Sequence, residues 1–193
     1  TGIDNATGKW INFMNCGDSF YDSDVLKNFP FEENPAQDFL YGKVQEFDPE
    51  IGYSAIKGER AEYPEDFYFR YPMYHQAVFY KTALMREEKF DPTLYGAGDY
   101  EHALRVIEER DCSFKFVDKI VCNFESGGYS LDNLKTLIWE DYRLRREYFP
   151  FNVVLKETLR LPLLLAKATI LEQISDFKAY EFYRNIKFNY FKN

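Results

Sequence analysis

The 193-residue chain predicts an α/β fold, a mixed sheet flanked by helices, and three features carry that reading. First, Trp10, Ile11, Phe13 and Met14 form a near-continuous apolar run, as a strand buried on both faces requires. The run stops at Asn15, Gly17 and Asp18, which suit a tight turn. Second, further β-prone runs at Phe39–Phe47 and Phe114–Phe124 bracket a helical pattern, Tyr100, Ala103, Leu104 and Ile107 on one face. Third, the length suffices for one well-buried domain with an appendage.

The elements follow in order. Asp22-Ser23-Asp24 offers an N-cap for a short helix over Val25–Phe29, which Pro30 ends. Phe39–Phe47 and Gly52–Lys57 read as paired strands joined by a turn at Asp48–Ile51. Glu59–Asp66 is acidic, contains Pro64 and reads as an exposed loop. An approach loop at Tyr71 leads into a strand ending near Tyr80, and Thr82 is placed to cap a helix through Glu88. Asp99 starts the next helix, and a strand over Phe114–Phe124 follows. After Gly127-Gly128, Ser130 is an N-cap candidate for a helix to about Tyr148, with a core stripe of Leu134, Leu137, Ile138 and Tyr142. Asp141 and Arg145 stand four apart and are expected to pair on its wet face. Pro150 closes the domain at residues 1–150, and 151–193 reads as an extension of two amphipathic helices, with Pro162 starting or kinking one.

Charge narrows the partners. The net charge of −8 argues against nucleic acid, which needs a basic footprint. From Phe151 onward there are seven Lys and Arg against four Asp and Glu, a surplus of three. The first 150 residues hold 17 against 28, a deficit of eleven. A basic, aromatic tail on an acidic body points to a membrane surface or an acidic partner, and solvated helix faces give the same count. Leu161–Ala166 is too short to span a bilayer and is expected to lie in an interface or pack on another element. Cys16, Cys112 and Cys122 show no zinc or disulfide spacing, so a reducing cytoplasm is the expectation, to which the basic, apolar tail adds a peripheral place at the inner membrane face.

Sites in open α/β sheets gather at the carboxyl ends of strands, which makes Asp18 the place for a metal or phosphate contact. The segment Ala6-Thr7-Gly8-Lys9-Trp10-Ile11-Asn12-Phe13-Met14-Asn15-Cys16-Gly17-Asp18 resembles the centre of family 2 glycosyltransferases, which have the GT-A fold. The family pattern reads roughly A-x-G-x-[YW]-[IL]-x-F-[LM]-[DN]-x-[DG]-D and ends in its DxD metal site. The resemblance implies Asp18 as the ligand of Mg or Mn, with Asn15 and Gly17 in the place of two acidic positions of the commoner form. Gly96-Ala97-Gly98-Asp99-Tyr100-Glu101 resembles the family's ED segment, with Gly98 where Glu is frequent, and implies Asp99 as the general base. His75-Gln76 resembles an H-Q pair on the substrate side, and Gly127-Gly128-Tyr129-Ser130 resembles a G-G-x-S loop that lends amides to oxygens. The plainer readings of these residues are a turn at Asp18, an N-cap at Asp99, a hydrogen-bonded structural His75 and an ordinary loop at Gly127-Gly128.

The resemblance covers residues 1 to about 150, and only the second half of the family's catalytic domain. It implies a partial GT-A sheet lacking the nucleotide-binding strands that come first in the family. The function it implies is an inverting, metal-dependent transfer from a nucleotide-diphosphate sugar to a saccharide or lipid-linked acceptor in surface polysaccharide synthesis. The competing reading is a non-catalytic remnant or carbohydrate- or partner-binding domain, with homodimerisation through the face that the missing strands would cover.

Overall fold

The computed structural model describes residues 2–49, 52–125 and 133–173. It is a mixed α/β structure in which one six-stranded sheet is flanked by helices. The elements are α1 (Gly2–Asn5), β1 (Trp10–Asn12), β2 (Ser19–Phe20), α2 (Val25–Asn28), β3 (Phe39–Asp48) and β4 (Tyr53–Lys57). They continue with β5 (Val78–Lys81), α3 (Thr82–Glu87), α4 (Gly98–Arg110), β6 (Phe114–Glu125), α5 (Leu134–Tyr148) and α6 (Phe151–Gln173), with 3-10 turns at Glu65–Phe67 and His75–Ala77. The chain divides into two compact units, one of Thr1–Phe47 with Ser54–Ser126, the other of Asp48–Tyr53 with Gly127–Asn193.

In the first unit the strand order is β1-β5-β3-β6-β2, with β4 paired to β3. β3 and β6 run parallel, whereas β5 is antiparallel to both β1 and β3. β3 is the central strand, and Phe39, Leu40 and Tyr41 are buried on its two faces. On one face Leu40 and Val44 pack with Val25, Phe29, Phe79, Val121 and Cys122, and Trp10, Met14 and Phe31 close the edge. On the other, Phe39 stacks on Phe114 at 5.4 Å and meets Tyr80 at 5.6 Å, while the Tyr41 hydroxyl accepts the Ala61 amide at 2.7 Å. Much of the aromatic content is therefore sheet packing, for which large flat side chains supply buried area and ring contacts together.

The β3–β6 ladder contains a discontinuity that only glycine permits. The register runs Tyr41↔Phe116, Lys43↔Ile120 and Val44↔Cys122, so β6 carries extra residues opposite Gly42. A Cβ on Gly42 would lie 2.7 Å from both the Lys119 carbonyl oxygen and Val121 Cγ2. The backbone oxygen cannot rotate away, so a side chain here spreads the two strands.

α4 is clamped to α3 by charge. Arg105 Nε bonds Glu101 Oε1 at 2.7 Å and its guanidinium also reaches Glu88 and the Lys89 carbonyl, while Arg110 pairs with Glu87 and Glu88. These charge-assisted bonds fix α4 against the end of α3.

Several boundaries differ from the sequence reading. Thr82 is the first residue of α3, not its cap, and its hydroxyl is buried without a partner. Asp24 precedes α2 without a side-chain cap, and instead the Asp22 carboxylate takes the Asp24 amide at 2.8 Å. α5 begins at Leu134, and Ser130 lies outside the described residues. Asp141 and Arg145 do pair, at 3.3 Å, but Arg145 is buried and also lies 3.8 Å from Glu157 of α6. Its guanidinium joins two helices, so the pair is not on a wet face. Residues 151–173 form one helix with Pro162 inside it, since a proline takes away one amide donor but α6 has turns on either side, and the rest of the two-helix expectation lies outside the described residues.

Gly42→Ala is expected to lower stability by roughly 1–3 kcal/mol with little change in the denaturant m-value. Urea unfolding followed by circular dichroism measures it, and a neutral effect would show that the β6 bulge relaxes without cost.

Candidate active site

The end of β1 is held to the segment entering β5 by one side chain. β1 pairs antiparallel with β5, so its carboxyl end lies beside the His75–Ala77 turn. Asn12 Nδ2 donates to the Gln76 carbonyl at 2.9 Å and to the Val78 carbonyl at 2.8 Å. Both amide protons are thereby used, and the turn is fixed against the strand.

Three residues widely separated in sequence then meet. Asn15 Nδ2 lies 2.9 Å from His75 Nε2, and His75 Nδ1 lies 3.4 Å from Asp99 Oδ2. An amide NH2 only donates, so Nε2 accepts and the neutral ring carries its proton on Nδ1, facing the carboxylate. The other carboxylate oxygen, Oδ1, accepts the Tyr100 amide at 2.8 Å, one of the free amides of the first turn of α4. Asp99 is therefore the second residue of α4 rather than its N-cap, and it divides its two oxygens between helix and histidine. His75 and Asp99 are each about a third exposed or less, and Asn15 is on the surface, so the line of groups runs from solvent inward.

Behind Asp99 lie two buried phenols. The hydroxyls of Tyr71 and Tyr80 are buried side by side and act on each other. Burial, helped by the negative charge of Asp99, pushes both above the usual tyrosine range, so both remain protonated donors. His102 follows one turn later, fully buried, with Nε2 donating to the Glu88 carbonyl at 2.8 Å. Its ring packs edge-on to Tyr80 and beside Phe90, and burial holds it down to about 4, hence neutral.

Asp18 closes a turn in which its amide donates to the Asn15 carbonyl at 3.2 Å. Gly17 makes that turn with φ of 99°, which side-chain-bearing residues rarely adopt. Asp18 Oδ2 is buried and has no hydrogen-bond partner. The β2–β6 register, with Ser19 opposite Asn123, sets Asp18 towards the carboxyl end of β6, and its charge helps burial push the Cys122 thiol up to about 12. A buried carboxylate oxygen without a donor costs at least about 1–3 kcal/mol. A cation or a ligand donor would remove that cost. Among the described residues no three His, Cys, Asp or Glu side chains gather as a metal cluster. Asp18 thus fits a divalent ion only as one carboxylate ligand, the rest coming from water and substrate phosphates, a set that suits Mg.

Of the other residues singled out in the sequence, Gln76 is buried and presents its backbone carbonyl to Asn12. Gly127, Gly128 and Ser130 lie outside the described residues. Asn12, Tyr71 and Tyr80 were not singled out. The signal for Asn12 was present, a lone amide inside an otherwise apolar strand.

No protein-family model and no curated protein matches the chain. Two solved structures similar to it are of S. aureus TarS, one in complex with UDP-GlcNAc and one with UDP. The first has 15% identity and a TM-score of 0.48 over 74% of this chain and 44% of that one. The second has 14% identity and a TM-score of 0.46 over 74% and 41%. The chain spans less than half the length of either.

The chemistry of the line is set by which lone pairs are free. In a serine-protease arrangement the histidine Nε2 faces the nucleophile. Here Asn15 occupies Nε2, so His75 is not the group open to a substrate proton. Asp99 keeps an open lone pair on each oxygen, its Oδ2 contact being long.

Because His102 titrates near 4 when folded and near 6.5 when unfolded, its contribution is complete above pH 6.5 and is lost as pH falls towards 4. Unfolding free energy is expected to drop by on the order of 3 kcal/mol across that window from this residue. His102→Leu, though less stable overall, should show a flatter profile in urea titrations at stepped pH. An unchanged slope would place the titrating group elsewhere.

Proposed function

We propose that the chain is part of a GT-A glycosyltransferase of the family 2 type, transferring a sugar from a nucleotide-diphosphate donor with inversion. The observation that carries the reading is the convergence of Asn15, His75 and Asp99, from a strand end, a 3-10 turn and a helix start, into one line of polar contacts beside Asp18.

In this reading Asp99 removes the proton of the acceptor hydroxyl. His75, donating from Nδ1, orients the carboxylate, and Asn15 holds His75 in the tautomer that can do so. The free second lone pair of Oδ2 is directed to the acceptor, which approaches from the exposed side. Asp18 is the protein ligand of Mg or Mn, which neutralises the diphosphate leaving group when bound. The acceptor is a saccharide or lipid-linked saccharide, and surface polysaccharide synthesis is the setting. These last assignments rest on the sequence resemblance alone.

Calorimetric titration with UDP, with and without Mn, tests the reading. Binding is expected only with the metal, to be lost in Asp18→Ala and to persist in Asp99→Asn, whose role is in proton transfer rather than diphosphate binding. Metal-independent binding, or binding indifferent to Asp18, would contradict the assignment.

A further inference from the structure

α6 carries an apolar stripe that nothing among the described residues covers. Phe151, Leu155, Leu159, Leu163 and Ile170 are all exposed, with Phe151, Leu159 and Leu163 more than 70 % so. On a regular helix they fall within about 120° of arc, and the stripe runs for about 28 Å along the axis. The opposite face is the packed one, with Val153, Glu157 and Ala168 buried.

Charge along the stripe has one sign. Lys156, Arg160 and Lys167 are exposed and occupy the arc that adjoins it on one side. Glu157 is the sole acidic residue between Phe151 and Ile170, and it is turned inward, where it meets Arg145 at 3.8 Å and Arg160 at 2.7 Å. On the other side α5 adds aromatic surface. Thr158, at that margin, exchanges a hydrogen bond with the Tyr142 hydroxyl at 2.9 Å. Tyr142 in turn packs against Trp139, itself 51 % exposed.

We infer that this face of α6 docks on an anionic lipid bilayer, lying in the plane of the interface. A surface that is apolar beneath a layer of negative charge complements a stripe of Phe, Leu and Ile edged by bases and flanked by Trp and Tyr. A second copy of the chain would bring the same bases and no acid on its own stripe. No described helix is long and apolar enough to cross a membrane, so α6 lies on the bilayer rather than through it. The inference stands independently of the transferase reading.

Cosedimentation of the 193-residue chain with phosphatidylcholine vesicles containing about 30% phosphatidylglycerol tests it. The chain is expected to bind these and to bind pure phosphatidylcholine at least several-fold less. Lys156→Gln with Lys167→Gln should weaken binding on the order of ten-fold. Leu159→Glu with Leu163→Glu should abolish it with the circular dichroism spectrum unchanged, both leucines being exposed. Absent binding, or equal binding to both vesicle types, would overturn the proposal. So would a dimer in analytical ultracentrifugation that the leucine substitutions split, which would assign the face to a second copy.

Discussion

A single amide side chain sets the geometry on which the candidate site depends. Asn12 sits in an otherwise apolar strand and spends both amide protons on the carbonyls of Gln76 and Val78. That ties the end of β1 to the turn that precedes β5, and the turn in turn presents His75 to Asn15. Strand pairing alone would align β1 with β5 but would leave the three residues before β5 free to choose their path. The remaining constraint comes from α4, whose first turn is fixed by the Arg105–Glu101–Glu88 cluster and carries Asp99 to the far side of His75.

Around this line the protein places groups of limited titration. The phenols of Tyr71 and Tyr80 stay protonated and His102 stays neutral, each because burial disfavours the charged form. The exposed side is left to Asn15, Cys16 and Gly17, small or polar residues of a turn. Asp99 thus lies between a neutral interior and an open surface, with neighbours unable to trade charge with it.

The most continuous apolar run, Trp10–Met14, reads as a strand buried on both faces but forms only a three-residue, half-buried strand at the sheet edge, since its length and neighbours, not its composition, set its burial. β3 and β6 follow the predicted runs to within a residue or so, because β-branched and aromatic side chains there have no competing pattern. Helix ends were less legible. Thr82 and Asp99 carry capping side chains, yet the preceding residues take the cap positions, since tertiary contacts of α3 and α4 decide where each helix begins. Arg145 read as a surface charge because its partner Asp141 is four residues away, and only packing reveals the second carboxylate, Glu157, from α6. Asn15, His75 and Asp99 were each visible as polar residues at element ends, but their meeting depends on β1–β5 register and on the Asn12 clamp, neither of which periodicity encodes.

The candidate site stands on Asn15, His75 and Asp99 forming one oriented line. Long-range proton–nitrogen correlation spectra of the imidazole groups test it most directly. His75 is expected to carry its proton on Nδ1, in a tautomer that is lost when Asn15 is replaced by Ala. A proton on Nε2, or the averaged signals of a free histidine in the unsubstituted chain, would contradict it.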